Sequence, residues 1–248
     1  PTGESDAALL ASPQNGEKTP VSYTPGIATM VSALRSAIAH YRGPTAKDVE
    51  ILITETNSVS YNPGRQTTGL VNALFLADSV ATWLENGITS VNWWTLHNSP
   101  FVGNADPSLY GAFDFGDYGL LSRGLPVGNG ELEPAAETPF PTYYGLEVLG
   151  QFTEHGEALV AASSSASLLS AHAVRAEDGH VNVLLINKDP LNAYRLSVSV
   201  KGAQLFGEAS LYTYGPTSRE VDRDCAHGHG SAVNATVQPY SVTTIHLP

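Results

Sequence analysis

The sequence predicts an α/β fold over its first part and an all-β fold over the rest. Three observations carry this prediction. Two short apolar runs, at residues 49–57 and 88–96, are each preceded by a stretch with helical spacing of its apolar residues. Past residue 155 the pattern changes to short, often alternating segments, as in Leu196-Ser-Val-Ser-Val200. Turn dipeptides such as Asp178-Gly179 and Asp189-Pro190 separate those segments. Strands that alternate with helices argue for parallel pairing, and short strands at regular spacing argue for an antiparallel sandwich.

Taken in order, residues 1–24 are rich in Pro, Gly and polar side chains and read as a loop. Residues 27–41 carry Ile27, Met30, Val31, Leu34, Ile38 and Tyr41 at helical spacing, between Pro25-Gly26 and Gly43-Pro44. The run Val49-Glu50-Ile51-Leu52-Ile53-Thr54-Glu55 is too short for a typical helix and too apolar for an exposed strand. It reads as a strand buried on both faces, ending in an acid. Residues 58–67 form a polar loop with an Asn62-Pro63-Gly64 turn. A helix is expected over 70–86, stopped by Asn86-Gly87, and a second short strand over 88–96. Residues 97–139 make a loop of a length that usually serves a function. One more helix, over 141–155, closes the first domain at residues 1–155. Strands at 159–162, 168–175, 180–187, 194–200, 209–214, 235–238 and 242–247 make residues 156–248 a β-sandwich. Residues 216–233 read as a polar loop. Its His227-Gly-His229 pair lacks further ligands at set spacing and is weighed as solvated rather than metal-binding.

Composition narrows the function. Twelve Lys and Arg stand against 24 Asp and Glu, which argues against a basic face for nucleic acid. No apolar run reaches 18 residues, so no membrane span is expected. The single Cys225 excludes an internal disulfide framework and a cysteine metal site. The chain starts Pro-Thr-Gly without a signal peptide and reads as a processed or truncated piece of something longer. Its few charges and many small residues suit a secreted, extracellular protein.

Ligands of parallel sheets sit outside the carboxyl ends of the strands, where Glu55 lies. A carboxylate there is either paired, as a structural cap, or used. The strand ending Ile-Thr-Glu-Thr-Asn, the helix Leu-Val-Asn-Ala-Leu-Phe-Leu-Ala-Asp, the Trp-Leu-Glu-Asn-Gly stop and the strand ending Asn-Trp-Trp-Thr-Leu-His-Asn belong together. They resemble the last part of a clan A glycoside hydrolase, of the secreted bacterial α-L-arabinofuranosidase-like type related to families 51 and 39. The resemblance covers residues 3 to about 155, including Glu4-Ser-Asp-Ala-Ala-Leu-Leu-Ala-Ser-Pro13. Beyond 155 it is architectural only.

The resemblance implies that the two strands are the seventh and eighth of a (β/α)8 barrel, followed by an antiparallel β-sandwich. It implies that Glu55 is the nucleophile of a retaining enzyme, and that Trp93 or Trp94 lies beneath the sugar. Alternation sends these two rings to opposite faces. Counting in steps of two from a buried Asn92 favours Trp94, with Trp93 in the core. A retaining enzyme needs two carboxyl groups about 5–5.5 Å apart and water, so no cofactor is implied. Asn57, Ser58 and Tyr61 are candidate donors to the nucleophile. His97, Asn98, Asp114, Asp117 and Tyr118 are candidates to line a cleft, with turn-forming or calcium-like structural roles preferred for Asp114 and Asp117.

In that clan the acid/base Glu follows an Asn on the fourth strand, and this chain has no Asn-Glu pair. The expectation is therefore a glycoside hydrolase that is incomplete without an N-terminal barrel segment, present as a second chain. Its substrate would be an oligo- or polysaccharide. A non-catalytic carbohydrate-binding or cell-surface module of the same fold is the alternative, and a doubly wound α/β protein is the rival fold for residues 25–155.

Overall fold

The computed structural model describes residues 5–18, 23–59, 64–102, 115–128 and 130–248. The chain forms two compact units, Pro1–Phe140 and Pro141–Pro248.

The first unit opens with helix α1 (Asp6–Asn15), where a loop is expected. The helix has almost no amphipathic pattern and contains Pro13, so periodicity does not reveal it. Local capping and tertiary contacts hold it instead. Ser5 Oγ accepts from the Ala8 amide at 3.1 Å, and Leu9 and Leu10 are buried. Gln66 Nε2 donates to Asp6 Oδ1 at 2.8 Å, and Gln14 Nε2 donates to Asp78 Oδ2 at 3.0 Å. Gly16 ends the helix at φ 74°, and a Cβ there would lie 2.2 Å from the Thr24 carbonyl. The close approach lets β1 (Glu17–Lys18) pair antiparallel with β2 (Tyr23–Thr24).

Helix α2 (Ile27–Arg42) follows, then a 3-10 turn at Gly43–Asp48 and strand β3 (Leu52–Thr56). A second 3-10 turn at Arg65–Thr68 leads into α3 (Leu70–Glu85) and β4 (Ser90–Trp93). Helix α3 is apolar nearly all round and is accordingly buried along most of its length. Strands β3 and β4 pair in parallel, with α3 as the crossover. One face of the pair packs in a cluster of Ile27, Val31, Ile51 and Ile88, joined by Ile53, Trp83 and Val91.

The expected burial of β3 on both faces does not hold. Leu52 is 53% exposed, and Thr54 and Glu55 are exposed as well. The reason is topological: β3 and β4 form a two-stranded sheet whose other face has no covering element among the described residues.

Residues 115–139 are pinned rather than free. The strip after Phe115 bonds back to the chain beyond β4 through Thr95 N to Tyr118 O (3.0 Å), Leu120 N to Thr95 O (2.9 Å) and Phe101 N to Gly116 O (2.8 Å). Val127 N to Glu131 O and Glu133 N to Leu125 O, each 3.0 Å, close a hairpin behind it. Phe115, Val127 and Phe140 form a small core of their own.

The second unit begins with α4 (Pro141–Phe152) and continues through β5 (Ala158–Val160), β6 (Leu169–Arg175), β7 (Val181–Asn187) and β8 (Tyr194–Ser199). It ends with β9 (Gly207–Tyr214), β10 (Asp222–His229), β11 (Ala232–Val237) and β12 (Ser241–His246). All eight strands belong to one antiparallel sheet in the order β5-β6-β7-β12-β9-β10-β11-β8. The expected two-sheet sandwich is thus a single curled sheet. Its inner core joins Leu169, Val183 and Ile245 to Val233, Val237 and the partly buried Leu196 of the far strands.

The expected polar loop at 216–233 is mostly the β10–β11 hairpin. Its residues are charged or small because the strand surface is exposed, which hides the strand from an apolar pattern. Helix α4 lies on the outer face of the sheet rather than ending the first unit. Thr244 Oγ1 donates to the Val148 carbonyl at 2.9 Å, Asn182 Nδ2 donates to the Phe152 carbonyl at 3.1 Å, and the His246 ring nitrogen meets the Gln151 carbonyl at 2.7 Å. Strand β7 is therefore buried on both sides, with Val183 and Leu185 inward and Leu184 and Ile186 outward. The division falls at 140/141, ahead of this helix, instead of near 155.

Candidate functional site

The carboxyl ends of β3 and β4 carry the acid and the indoles. Ile53 pairs with Val91 and Thr56 with Trp93, so two residues of β3, Thr54 and Glu55, oppose the single Asn92. This bulge breaks the alternation of β3. Ile53 and Val91 pack in the helix-side cluster. Trp93, two residues past Val91, also faces the helices, and its ring centroid lies 6.3 Å from that of Phe75 on α3. Asn92 and Trp94 take the opposite, open face, and both are exposed, Trp94 by 49%. The burial assumed for Asn92 is not observed. Thr54 and Glu55, both exposed, leave β3 on that same open face. Without the extra residue, Glu55 would share the parity of Ile51 and Ile53 and point at the helices. The Glu55 carboxylate has no hydrogen-bond or ion-pair partner among the described residues.

Asn57 does not turn toward Glu55. Its Nδ2 donates to the Trp94 carbonyl and, at 3.3 Å, to the Tyr118 carbonyl. Its Oδ1 accepts from the Ser58 amide at 2.7 Å and from the Ser58 hydroxyl at 3.2 Å. The side chain is a clamp across the ends of both strands, joined by the Trp94 amide donating to the Thr56 carbonyl at 2.9 Å. The Trp94–Thr95 peptide next to this clamp is cis. Ser58 is fully buried, and Tyr61 lies outside the described residues, as does Asp114. His97 sits beyond β4, 3.1 Å from both carboxylate oxygens of Glu137. Asn98 donates to the Ser99 carbonyl at 3.1 Å. Of the expected site residues, the structure thus brings Glu55 and Trp94 to one face. Asn57 is engaged in backbone contacts and His97 in contact with the Glu137 carboxylate.

Other side chains also shape this end. Asn92 stands opposite the bulge and was reachable by counting back from Trp94. Thr67, in the 3-10 turn before α3, donates from Oγ1 to the Gly64 carbonyl at 2.8 Å and accepts there from the Asp117 amide at 3.0 Å. Burial raises the Tyr118 phenol above its ordinary range. Asp117 is buried, and burial is the main cause that raises its carboxyl to about 7. Among the described residues no group of three or more His, Cys, Asp or Glu is placed to hold a metal ion, and no helix is long and apolar enough to cross a membrane.

No protein-family model and no curated protein matches the sequence. Solved structures do match its fold. CelM2, a bifunctional glucanase-xylanase from a metagenome library, superposes with a TM-score of 0.66 at 16% identity, over 99% of this chain and 38% of that one. A glycoside hydrolase family 44 xyloglucanase from Paenibacillus polymyxa gives 0.64 at 13% identity, over 98% and 41%. A family 51 arabinofuranosidase from Xanthomonas axonopodis pv. citri gives 0.59 at 17% identity, over 90% and 46%. The fold of this chain is therefore like that of part of these glycoside hydrolases. The chain spans less than half the length of each.

Proposed function

We propose that this chain is the carboxyl-terminal part of a retaining glycoside hydrolase of the arabinofuranosidase-like type, with Glu55 as its nucleophile. The observation that carries the reading is the β3 bulge. It turns Glu55 onto the open face that holds Trp94, at the carboxyl ends of two parallel strands. In this reading β3 and β4 are the last two strands of a (β/α)8 barrel, and their open face is the barrel interior. Glu55 attacks the anomeric carbon to form a glycosyl-enzyme. A second carboxyl protonates the leaving oxygen and then activates the water that releases the sugar. The half-exposed Trp94 indole offers a flat apolar surface for a sugar ring.

The second carboxyl comes from polypeptide outside this sequence. The edges of β3 and β4, unpaired among the described residues, and the exposed Leu52 and Leu96 support a missing neighbour, as does the share of the matched structures that this chain spans. That segment is proposed to be an N-terminal barrel portion bound as a second chain, in a secreted enzyme acting on plant or microbial polysaccharide.

The test uses the chain together with its barrel-completing polypeptide, identified by native and then denaturing mass spectrometry. A 2-deoxy-2-fluoro arabinofuranoside carrying an activated leaving group should label Glu55 covalently. Glu55→Gln should lose the label and lower turnover of an aryl arabinofuranoside by on the order of 10³-fold or more. Labelling of another carboxylate, or turnover unchanged in Glu55→Gln, would remove Glu55 from the reaction.

A further inference from the structure

Away from Glu55, two carboxyl groups are buried against each other. Asp117 on the strip and Glu133 on the hairpin are only 1% and 6% exposed. Each uses one oxygen on backbone donors. Asp117 Oδ1 accepts from the Gly119 amide. Glu133 Oε2 accepts from the Arg123 amide at 3.1 Å and the Leu125 amide at 2.9 Å. The remaining oxygens, Asp117 Oδ2 and Glu133 Oε1, are both buried and receive no donor from elsewhere. The two side chains are in hydrogen-bond contact with each other. Two acceptors can bond only if a proton lies between them. A divalent cation could also bridge them, but calcium takes six to eight oxygens, and each of these carboxyls offers one unpartnered oxygen among the described residues.

We infer that Asp117 and Glu133 share one proton, and that this carboxyl–carboxylate pair is a pH-dependent latch holding the Tyr118 strip onto the ends of β3 and β4. The strip is what the latch controls. Asp117 also anchors it to α3 through Thr67, and the Tyr118 carbonyl next door receives Thr95 N and the Asn57 amide. Gly119 lets the carboxylate reach its amide, since a Cβ there would sit 2.8 Å from Asp117 Oδ1. The charged groups facing Asp117 are Glu133 and Arg123, with the Thr67 hydroxyl and Gly119 amide as neutral partners. Loss of the proton to solvent leaves two buried charges and two opposed acceptors, relieved in part by Arg123.

The test exploits isosteres. In Glu133→Gln the amide oxygen keeps the Arg123 and Leu125 donors while Nε2 faces Asp117. In Asp117→Asn the amide oxygen keeps Gly119 while Nδ2 faces Glu133. Either replaces the shared proton with a permanent donor. Thermal unfolding of the full chain should nearly match wild type at pH 4, and at pH 8.5 each single variant should melt about 4 °C higher. The double variant opposes two amide donors and should lose that gain. Carboxyl ¹³C titration of wild type should show one proton leaving the pair near neutrality, and neither single variant should show it. Two results would overturn the inference: single variants that keep the wild-type pH dependence, or millimolar calcium raising the wild-type melting temperature at pH 8.5 but not that of the variants.

Discussion

Asn57→Ala should destabilise the first unit by about 3 kcal/mol, counting roughly 1 kcal/mol for each of three of its four hydrogen bonds, the Ser58 hydroxyl being free to rotate to another partner. Those are the bonds to the Trp94 and Tyr118 carbonyls and the one from the Ser58 amide. The third weighs most, because Ser58 is completely buried and its amide would be left without an acceptor. Asn57→Asp sharpens the test. It keeps the acceptor for Ser58 but places a carboxylate oxygen against two carbonyl oxygens, so it should cost more than alanine despite being the closer isostere. Urea unfolding followed by tryptophan fluorescence reads the change as a shift in midpoint at constant slope. A substrate-binding amide would behave in the opposite way. It would tolerate alanine with a change under about 0.5 kcal/mol and lose saccharide affinity instead. That pattern would refute the clamp and return Asn57 to the sugar.

Three further outcomes are expected. The difference in unfolding free energy between Asp117→Asn and wild type should grow from near zero at pH 4 to about 2 kcal/mol at pH 7 and then level off. The sign follows from the raised carboxyl: its stabilisation is whole below the unfolded value of 3.8 and is lost as pH climbs through about 7. A fragment spanning 141–248 should unfold cooperatively by circular dichroism, whereas 156–248 should not. Deleting α4 removes the buried Val148, Leu149 and Phe152, together worth on the order of 5 kcal/mol, comparable to the stability of a small domain. Gly16→Ala should cost about 3 kcal/mol in chemical denaturation, because the new methyl meets the Thr24 carbonyl at 2.2 Å in a left-handed backbone. A neutral result would mean that the Thr24 carbonyl yields to the new methyl.

The parts of the fold that were legible in sequence are those whose apolar pattern does the holding. Helices α2 and α3 and strands β3 and β4 emerge from spacing and β-branched runs, and so do the apolar strands of the second unit. Helix α1 and strand β10 were missed for a shared reason. One is held by a cap and by buried amide–carboxylate bonds, and the other exposes most of its surface, so neither needs a stripe of apolar residues. The place of α4 could not be read either. Its apolar face says that it packs, and only long-range partners such as Thr244 and Asn182 say on what. At the candidate site, residue type pointed to Glu55 and Trp94 but also to Asn57 and His97. An asparagine beside a carboxylate looks the same in sequence whether its amide meets a sugar or a carbonyl.

The bulge in β3 links the two halves of the reading. A regular strand of this sequence would send Leu52, Thr54 and Thr56 to one face, and Ile51, Ile53 and Glu55 to the other, burying the acid among Ile27, Val31 and Trp83. A carboxylate in that cluster would cost several kcal/mol unpaired. One extra residue opposite Asn92 removes the conflict. It frees Glu55 to the open face while Thr56 stays paired with Trp93, and Trp93 stays against Phe75. Asn57 then locks the bulged end onto the Trp94 carbonyl, and the Tyr118 strip closes over the junction. The chain thus commits a clamp, a strip and a buried carboxyl pair to holding one acid and one indole on a face that no described element covers. Packing alone would have favoured turning both away. Their retention on a face left open by the described residues is what the proposed barrel interior requires and what an exposed sheet edge would select against.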